Sequence, residues 1–326
     1  MFITIRKKPE ELLFLNALGR RTALSVYDAD KLNRLEIGMT GEREYDRIFG
    51  DAGHNGLYIY RDIYLKIENS VTQYDTLIIS ESGIVVNEIK NFTGDYRVAG
   101  SMWTREGSGP VPDDALSQLR RAVGKLMRLG TAHGMNFDVS GKLVFPNESF
   151  RLFSNEENVW KQVVLRVDLR QYFGGFRNEY SGTYASQVAD IIERHIVPNP
   201  YFKQRVEFDS VRHGLYCGGC GSFKLEKHQF HLRCQTCGSR ESNETHLVRA
   251  MSDFKYLFGP LEMTSRRMTE FTGGMVNYRT VLRALAKYCY SHGQKKSTSY
   301  EFKYYDFEEA MIKERSNRKY KDYIKK

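Results

Sequence analysis

Glu88 and Lys90 stand two residues apart inside the apolar run Ile84–Lys90, and Asp75 lies in the preceding apolar run Tyr74–Ile79. In an extended strand alternate side chains share a face, so Glu88 and Lys90 project together and Ile89 points the other way. Charges set in such a run cost desolvation unless they are paired, and Asp75 on a neighbouring strand would converge on the same spot. Two carboxylates and an ammonium would then meet. Carboxylate oxygens are the hard ligands that suit Mg²⁺ or Mn²⁺, which keep several waters for a substrate phosphate and a nucleophile. Such an ion lowers the pKa of water and neutralises phosphate charge, while Lys90 would position the attacking water or stabilise the transition state. A second constellation is formed by Cys217-Gly-Gly-Cys220 and Cys234-Gln-Thr-Cys237, with 13 residues between the pairs. Four thiolates at this spacing suit tetrahedral Zn²⁺ in a closed and therefore structural site, whose binding contributes directly to folding.

The elements that must position these groups follow from periodicity. Gly38–Phe49 reads as a short amphipathic helix capped near Thr40. Leu57–Leu65, Tyr74–Ile79 and Ile84–Ile89 read as strands, and the Glu-Ser-Gly turn at 81–83 joins the last two in an antiparallel hairpin. Leu116, Leu119, Val123, Leu126 and Met127 recur at helical intervals and predict a helix over Asp114–Leu129. Strands are expected at Lys142–Phe145 and Gln162–Arg166, then a helix over Thr183–Ile196 that Pro198-Asn-Pro200 ends. Ser222–Arg233, with alternating Phe223, Leu225, Phe230 and Leu232, reads as a hairpin between the cysteine pairs. Together they resemble a zinc ribbon. His213, His228 and His231 are expected at the surface or behind the thiolates, and Cys289 as a small buried hydrophobe in an apolar helix.

A chain of 326 residues exceeds what one core usually serves, so several domains are expected. The predicted divisions are an N-terminal extension at 1–36, an α/β domain at 37–200, the ribbon at 201–245 and a basic helical module at 246–326. No uncharged apolar stretch of about 18 residues exists to span a membrane. Met1–Glu11 lacks the apolar run and cleavage site of a secretory signal, so a cytoplasmic location is expected. Five cysteines, four of them in two tight pairs, argue for metal binding over a disulfide framework. Of the net charge of +9, little belongs to residues 1–200, where 25 Lys and Arg face 26 Asp and Glu; residues 251–326 carry 16 against 9. A basic C-terminal part beside a neutral body suits a grip on polyanions. From Thr264 the chain reads as helix, glycine turn and second helix, then a turn and alternation fitting a β-wing, and so resembles a winged helix. Val281, Leu282, Leu285 and Tyr288 would face inward, leaving Asn277, Tyr278, Arg279, Arg283 and Lys287 toward a DNA groove, with Lys295 and Lys296 as phosphate contacts. Tyr304–Lys326 reads as a terminal helix or a frayed tail.

Several motifs occur together over roughly residues 37–150. They are Gly41-Glu42 at a helix start, Gln73-Tyr74-Asp75 entering a strand, Gly83-Ile84-Val85-Val86 leading to Glu88-Ile89-Lys90-Asn91, then Gly94, and Gln118 in the next helix. In order and spacing they resemble the nuclease-related domain family, NERD, of the PD-(D/E)XK superfamily; no proline precedes the aspartate here. The resemblance implies a restriction-endonuclease-like core, a mixed sheet flanked by helices. It also implies that Asp75 and Glu88 bind Mg²⁺ or Mn²⁺, that Lys90 assists the water, and that Glu42 and Gln118 line the same site. The expected activity is hydrolysis of phosphodiester bonds in nucleic acid, DNA foremost, with the ribbon and basic module holding the strand. The alternative is a non-catalytic DNA-binding or regulatory protein that uses the same fold as a platform.

Overall fold

The computed structural model describes residues 3–54, 56–100, 102–111, 114–294 and 297–325. The phosphate contacts expected at Lys295 and Lys296 lie outside the described residues. Two compact units are present: Met1–Lys8 with Asn33–Tyr201, and Pro9–Leu32 with Phe202–Lys326. Most of the expected N-terminal extension therefore clusters with the C-terminal residues, and ribbon and helical module share one unit. The opening helices are α1 (Glu10–Arg21) and α2 (Val26–Ala52), and the division falls within α2. α2 corrects the short helix expected from Gly38: Thr40 caps nothing, because its hydroxyl donates back to the Glu36 carbonyl one turn earlier at 2.8 Å.

The first unit contains β1 (Tyr58–Ile67), β2 (Ser70–Ser80), β3 (Gly83–Ile89), β4 (Gly94–Ala99), β5 (Met102–Arg105), β6 (Gly109–Val111) and α3 (Ala115–Ala132). It continues with β7 (Val139–Phe145), β8 (Phe150–Phe153), α4 (Glu157–Gln162), β9 (Val163–Leu165), α5 (Leu169–Gly174), α6 (Thr183–His195) and β10 (Ile196–Val197). Its main sheet has the order β10-β1-β2-β3-β7-β9. β3, β7 and β9 pair in parallel and the others antiparallel, so the sheet is mixed. A second sheet runs β6-β5-β4-β8.

Both faces of the main sheet are covered. Ile84, Val86, Leu143 and Phe145 pack with Leu119 and Leu126 of α3 and Val188 and Ile192 of α6. On the other face Ile59, Ile78, Ile89 and Val144 meet Tyr45 and Phe49 of α2 and Phe173 of α5. Each such side chain contributes about 1.5–3 kcal/mol on burial. Asp114 caps α3 by accepting from the Ser117 N–H at 3.1 Å.

The alternation in β1 and β2 resets at one level. Tyr60 and then Ile63, Leu65 and Ile67 face the α3 layer, as do Tyr74 and then Leu77 and Ile79. Parity changes within Arg61–Asp62 on one strand and Asp75–Thr76 on the other, while the register stays constant from Arg61↔Thr76 to Ile63↔Tyr74. Asp62 takes a left-handed backbone, φ +49°, to make this turn.

The second unit contains β11 (Leu225–Lys227), β12 (His231–Cys234), β13 (Arg240–Ser242), α7 (Asn243–Phe258), α8 (Ser265–Phe271), α9 (Tyr278–Tyr288), β14 (Cys289–His292), β15 (Ser299–Phe302) and α10 (Phe307–Lys313). The predicted hairpin gains a third strand, giving the order β11-β12-β13. α7 is the centre of this unit: Leu247, Met251, Phe254 and Leu257 are all buried. A buried ion pair joins Arg21 of α1 to Asp253 of α7 at 3.0 Å. Cys289 opens a strand, correcting the expected helix, and is buried there. The tail past α10 folds back, and Tyr323 bridges Arg240 of β13.

Candidate active site and four-cysteine centre

The sequence places Asp75, Glu88 and Lys90 on adjacent strands; in the structure the two acids lie on β2 and β3, and Lys90 directly follows β3. One step beyond Thr76↔Asn87, Asp75 lies level with Glu88, and between Arg61↔Thr76 and Ile63↔Tyr74 it faces Asp62. Three acidic residues therefore occupy neighbouring positions across β1, β2 and β3, with Asp75 between Asp62 and Glu88. Asp75 Oδ2 accepts the Ile89 N–H at 2.8 Å, fixing its carboxylate between the strands. Lys90 Nζ donates to Glu88 Oε1 at 2.8 Å and to Gln118 Oε1 of α3 at 3.1 Å. Gln118 is exposed on its helix, yet it reaches the ammonium. Gln73 pairs across the sheet with Asp62, donating to its Oδ1 at 2.8 Å.

Glu42 approaches the Asp75 side of this group from α2 and is linked to it through Arg6. Gly41 sets the approach: a Cβ there would lie 2.5 Å from the Asn91 Cβ, so only glycine lets α2 pass this close to the end of β3. Arg6, which the sequence reading missed, joins the two sides. Its guanidinium donates to Glu42 Oε2 and Asp46 Oδ2, each at 3.0 Å, and to the Asp75 carbonyl at 3.0 Å and Thr76 Oγ1 at 3.1 Å. Its side chain is only 3% exposed. Asp46 and Asp62 were missed as well. Asp46 repeats Glu42 one helical turn on, a weak signal, whereas nothing local marks Arg6.

Burial, reinforced by the crowding of acids, disfavours their charged forms. Burial, and then the neighbouring Asp75 carboxylate, push Glu88 up to about 7 against the pull of Lys90. Burial likewise raises Glu42 to about 8; Arg6 opposes the shift, while Asp75, Asp62 and Asp46 add to it. Burial also raises Asp62 above its ordinary range. A site that resists ionisation this way has room for further positive charge. Asp75 and Glu88 supply two oxygen donors without thiolate or imidazole, a set that fits a hard divalent ion retaining water. Among the described residues, the four cysteines are the only group of three or more ligating side chains gathered within 4.8 Å.

Those cysteines form two copies of one loop. Cys217 N–H donates to the Ser222 carbonyl and Gly221 N–H to the Cys217 carbonyl; Cys234 N–H donates to Ser239 and Gly238 N–H to Cys234, all at 2.8–2.9 Å. Gly221 and Gly238 close the loops at φ +72° and +76°. The sulfurs of Cys217 and Cys237, and of Cys220 and Cys234, are 3.6 Å apart, too far for a disulfide and close to the ~3.8 Å edge of a tetrahedron with 2.3 Å metal–sulfur bonds. The four-cysteine cluster can hold a metal ion. Glu241 Oε2 accepts the Gly218 N–H at 2.7 Å and is itself held by Arg249, tying the first loop to α7.

In the C-terminal helices, Val281, Leu285 and Tyr288 are buried as expected, but Ala284 completes the inward stripe while Leu282 is half-buried. Asn277 caps α9, accepting from Thr280 N–H at 2.9 Å. Tyr278 shares a hydrogen bond with Ser265, and Arg283 donates to Thr280. Lys287, expected to point to solvent, is half-buried and donates to Glu244 Oε1 at 2.7 Å and the Asn317 carbonyl at 3.0 Å, so its charge is already used. Arg279 is exposed.

The family comparison bears directly on the acidic centre. The family model described as nuclease-related domain, NERD, matches residues 37–146. That span contains Glu42, Asp75, Glu88, Lys90 and Gln118. Comparison with curated proteins and with solved structures finds no match. No helix among the described residues is long and apolar enough to cross a membrane.

Proposed function

We propose that this protein is a nuclease that depends on a divalent metal and hydrolyses phosphodiester bonds of nucleic acid, DNA foremost, on a PD-(D/E)XK-type core. The observation that carries this reading is the convergence of Asp75, Glu88, Lys90 and Gln118 at one edge of the β2–β3 pair, within the segment similar to a nuclease-related domain. Asp75 and Glu88 would hold Mg²⁺ or Mn²⁺, which supplies charge neutralisation at the scissile phosphate and an acidified water. Lys90, steered by Glu88 and Gln118, would orient the attacking water and offset charge on the phosphate oxygens. Glu42 lines the same site and is held there by Arg6. Zn²⁺ in the four-cysteine centre would be structural, and the basic module, its β14–β15 hairpin serving as a wing, would add phosphate contacts through Arg279 and Arg283. Cytoplasmic location accords with this role.

The test is cleavage of single-stranded, double-stranded and branched DNA with Mg²⁺ or Mn²⁺, run beside Glu88→Gln. Metal-dependent cutting that Glu88→Gln abolishes, with the fold and DNA binding intact, is the expected result. DNA retarded in a gel but left uncut by the unaltered protein would instead support a non-catalytic DNA-binding protein. That second reading draws on one observation: Arg6 already satisfies Glu42 and Asp46.

A further inference from the structure

We infer that the outer face of the ribbon sheet is a binding surface for single-stranded nucleic acid, with Arg233, Arg240 and Lys321 taking successive phosphates and Tyr323 stacking a base. The inference rests on the nucleic-acid reading above and gives it an anchoring surface distinct from the C-terminal helices. His228, His231, Arg233, Arg240, Lys321 and Tyr323 line a cavity of about 420 Å³, within the range that holds a small ligand or one nucleotide.

The charge arrangement is what calls for an anion. Leu232 and Cys234 turn inward, so His231 and Arg233 face out, and Arg233 lies directly opposite Arg240 in the β12–β13 register. Like charges facing each other across strands destabilise a sheet unless something neutralises them. Among the described residues neither arginine is in an ion pair, and both are exposed. One carboxylate, Glu226, shares the row beyond Arg233, and it is 3.8 Å from His228. Asp322 next to Lys321 is engaged by Arg318 and by Ser242 N–H, so it does not offset the face.

The aromatic side chains select the kind of polyanion. Tyr323 is 63% exposed although its backbone bridges Arg240, which puts its ring at the end of the Arg233–Arg240 row. Phe230, 43% exposed, stacks on Tyr320 at 4.8 Å and 15° beside His231. Cations interleaved with exposed rings suit unpaired bases on a phosphodiester backbone, because any base offers a π face and a duplex hides it.

The experiment uses the full chain carrying Glu88→Gln, so that binding is read without cleavage, and measures anisotropy of a fluorescein-labelled 12-mer of deoxythymidine against salt. Arg233→Gln with Arg240→Gln should weaken binding at least tenfold at low salt. It should also lower the slope of log affinity against log salt by about 1.4, two phosphates at about 0.7 each. Arg233→Lys with Arg240→Lys should keep the slope, and Tyr323→Ala should weaken the single strand about tenfold while leaving duplex binding unchanged. Zinc content should stay at one per chain in each variant. An unchanged slope in the glutamine pair, or loss of it in the lysine pair, would overturn the inference. Competition by polyglutamate as strong as by oligonucleotide would overturn it too, assigning the face to an acidic protein. Absence of cleavage in the unaltered protein would count against the nuclease reading alone.

Discussion

Arg6→Gln tests how the acidic centre is held together. Arg6 is buried and gives one ionic hydrogen bond to Glu42, one to Asp46 and two neutral ones to Asp75 and Thr76. Removing one partner of a buried ion pair costs about 3–5 kcal/mol, a large part of the 5–15 kcal/mol that stabilises a typical domain. The cost must depend on pH, because Glu42 is pushed up to about 8. With a folded-state value above the ordinary one, Glu42 is protonated at low pH, and its ionic bond to Arg6 exists above about 8 and is lost as pH falls through that value. At pH 9 the variant should show the full penalty; at pH 6 it should lose about 1.5–3 kcal/mol less, the worth of one hydrogen bond to a charged group. Urea unfolding of both proteins across pH 6–9, without added Mg²⁺ or Mn²⁺, gives the two values. A penalty that is the same at both ends would refute the assignment of Glu42 as a partner that titrates against Arg6.

Gly41→Ala should drive α2 away from Asn91 by about 1 Å, costing about 1–3 kcal/mol of stability and about a hundredfold in cleavage rate through misplaced Glu42; kcat and thermal unfolding read the two effects. Mg²⁺ binding should release a proton, because Glu88 sits up at about 7 without metal and must ionise to ligate. Affinity should therefore fall about tenfold per pH unit below 7 and level off above it, as calorimetry in buffers of different ionisation enthalpy would show. The same raised value means that in metal-free protein Glu88's contribution to stability is complete below the ordinary carboxyl range and lost as pH rises through about 7. Cys217→Ser should drop bound zinc from one per chain to near zero, with faster proteolysis around Gly214–Ser242, checked by elemental analysis and limited digestion.

Much of the acidic centre was legible because it is written in period two. Glu88 and Lys90 sit in a run whose alternate members had to face a core, so a shared face followed from the sequence alone, and the 81–83 turn brought Asp75 alongside. Arg6 was not legible, since its partners lie 36 to 70 residues away and no local pattern selects it. α2 was cut short because the turn residues from Gly38 to Gly41 read as a helix start. Gly41 is instead demanded by a neighbour fifty residues on. Likewise the cysteine spacing announced its loops, but β13 was too short and too polar to register as a strand, and Lys287 met Glu244 only once α7 and α9 were packed.

The paired break at Asp62 and Asp75 makes the β1–β2 ribbon two lengths of ladder spliced in opposite phase. Its acids lie at the splice itself, so their location is bound to the geometry that turns the ladder over. A residue gained or lost in one strand near that level would turn half of it inside out while its mate stayed put, exchanging greasy contacts for water along several rungs. The charged rung can therefore migrate only if both strands shift their seam in concert, which leaves substitution in place, rather than slippage, as the route by which such a centre can be altered.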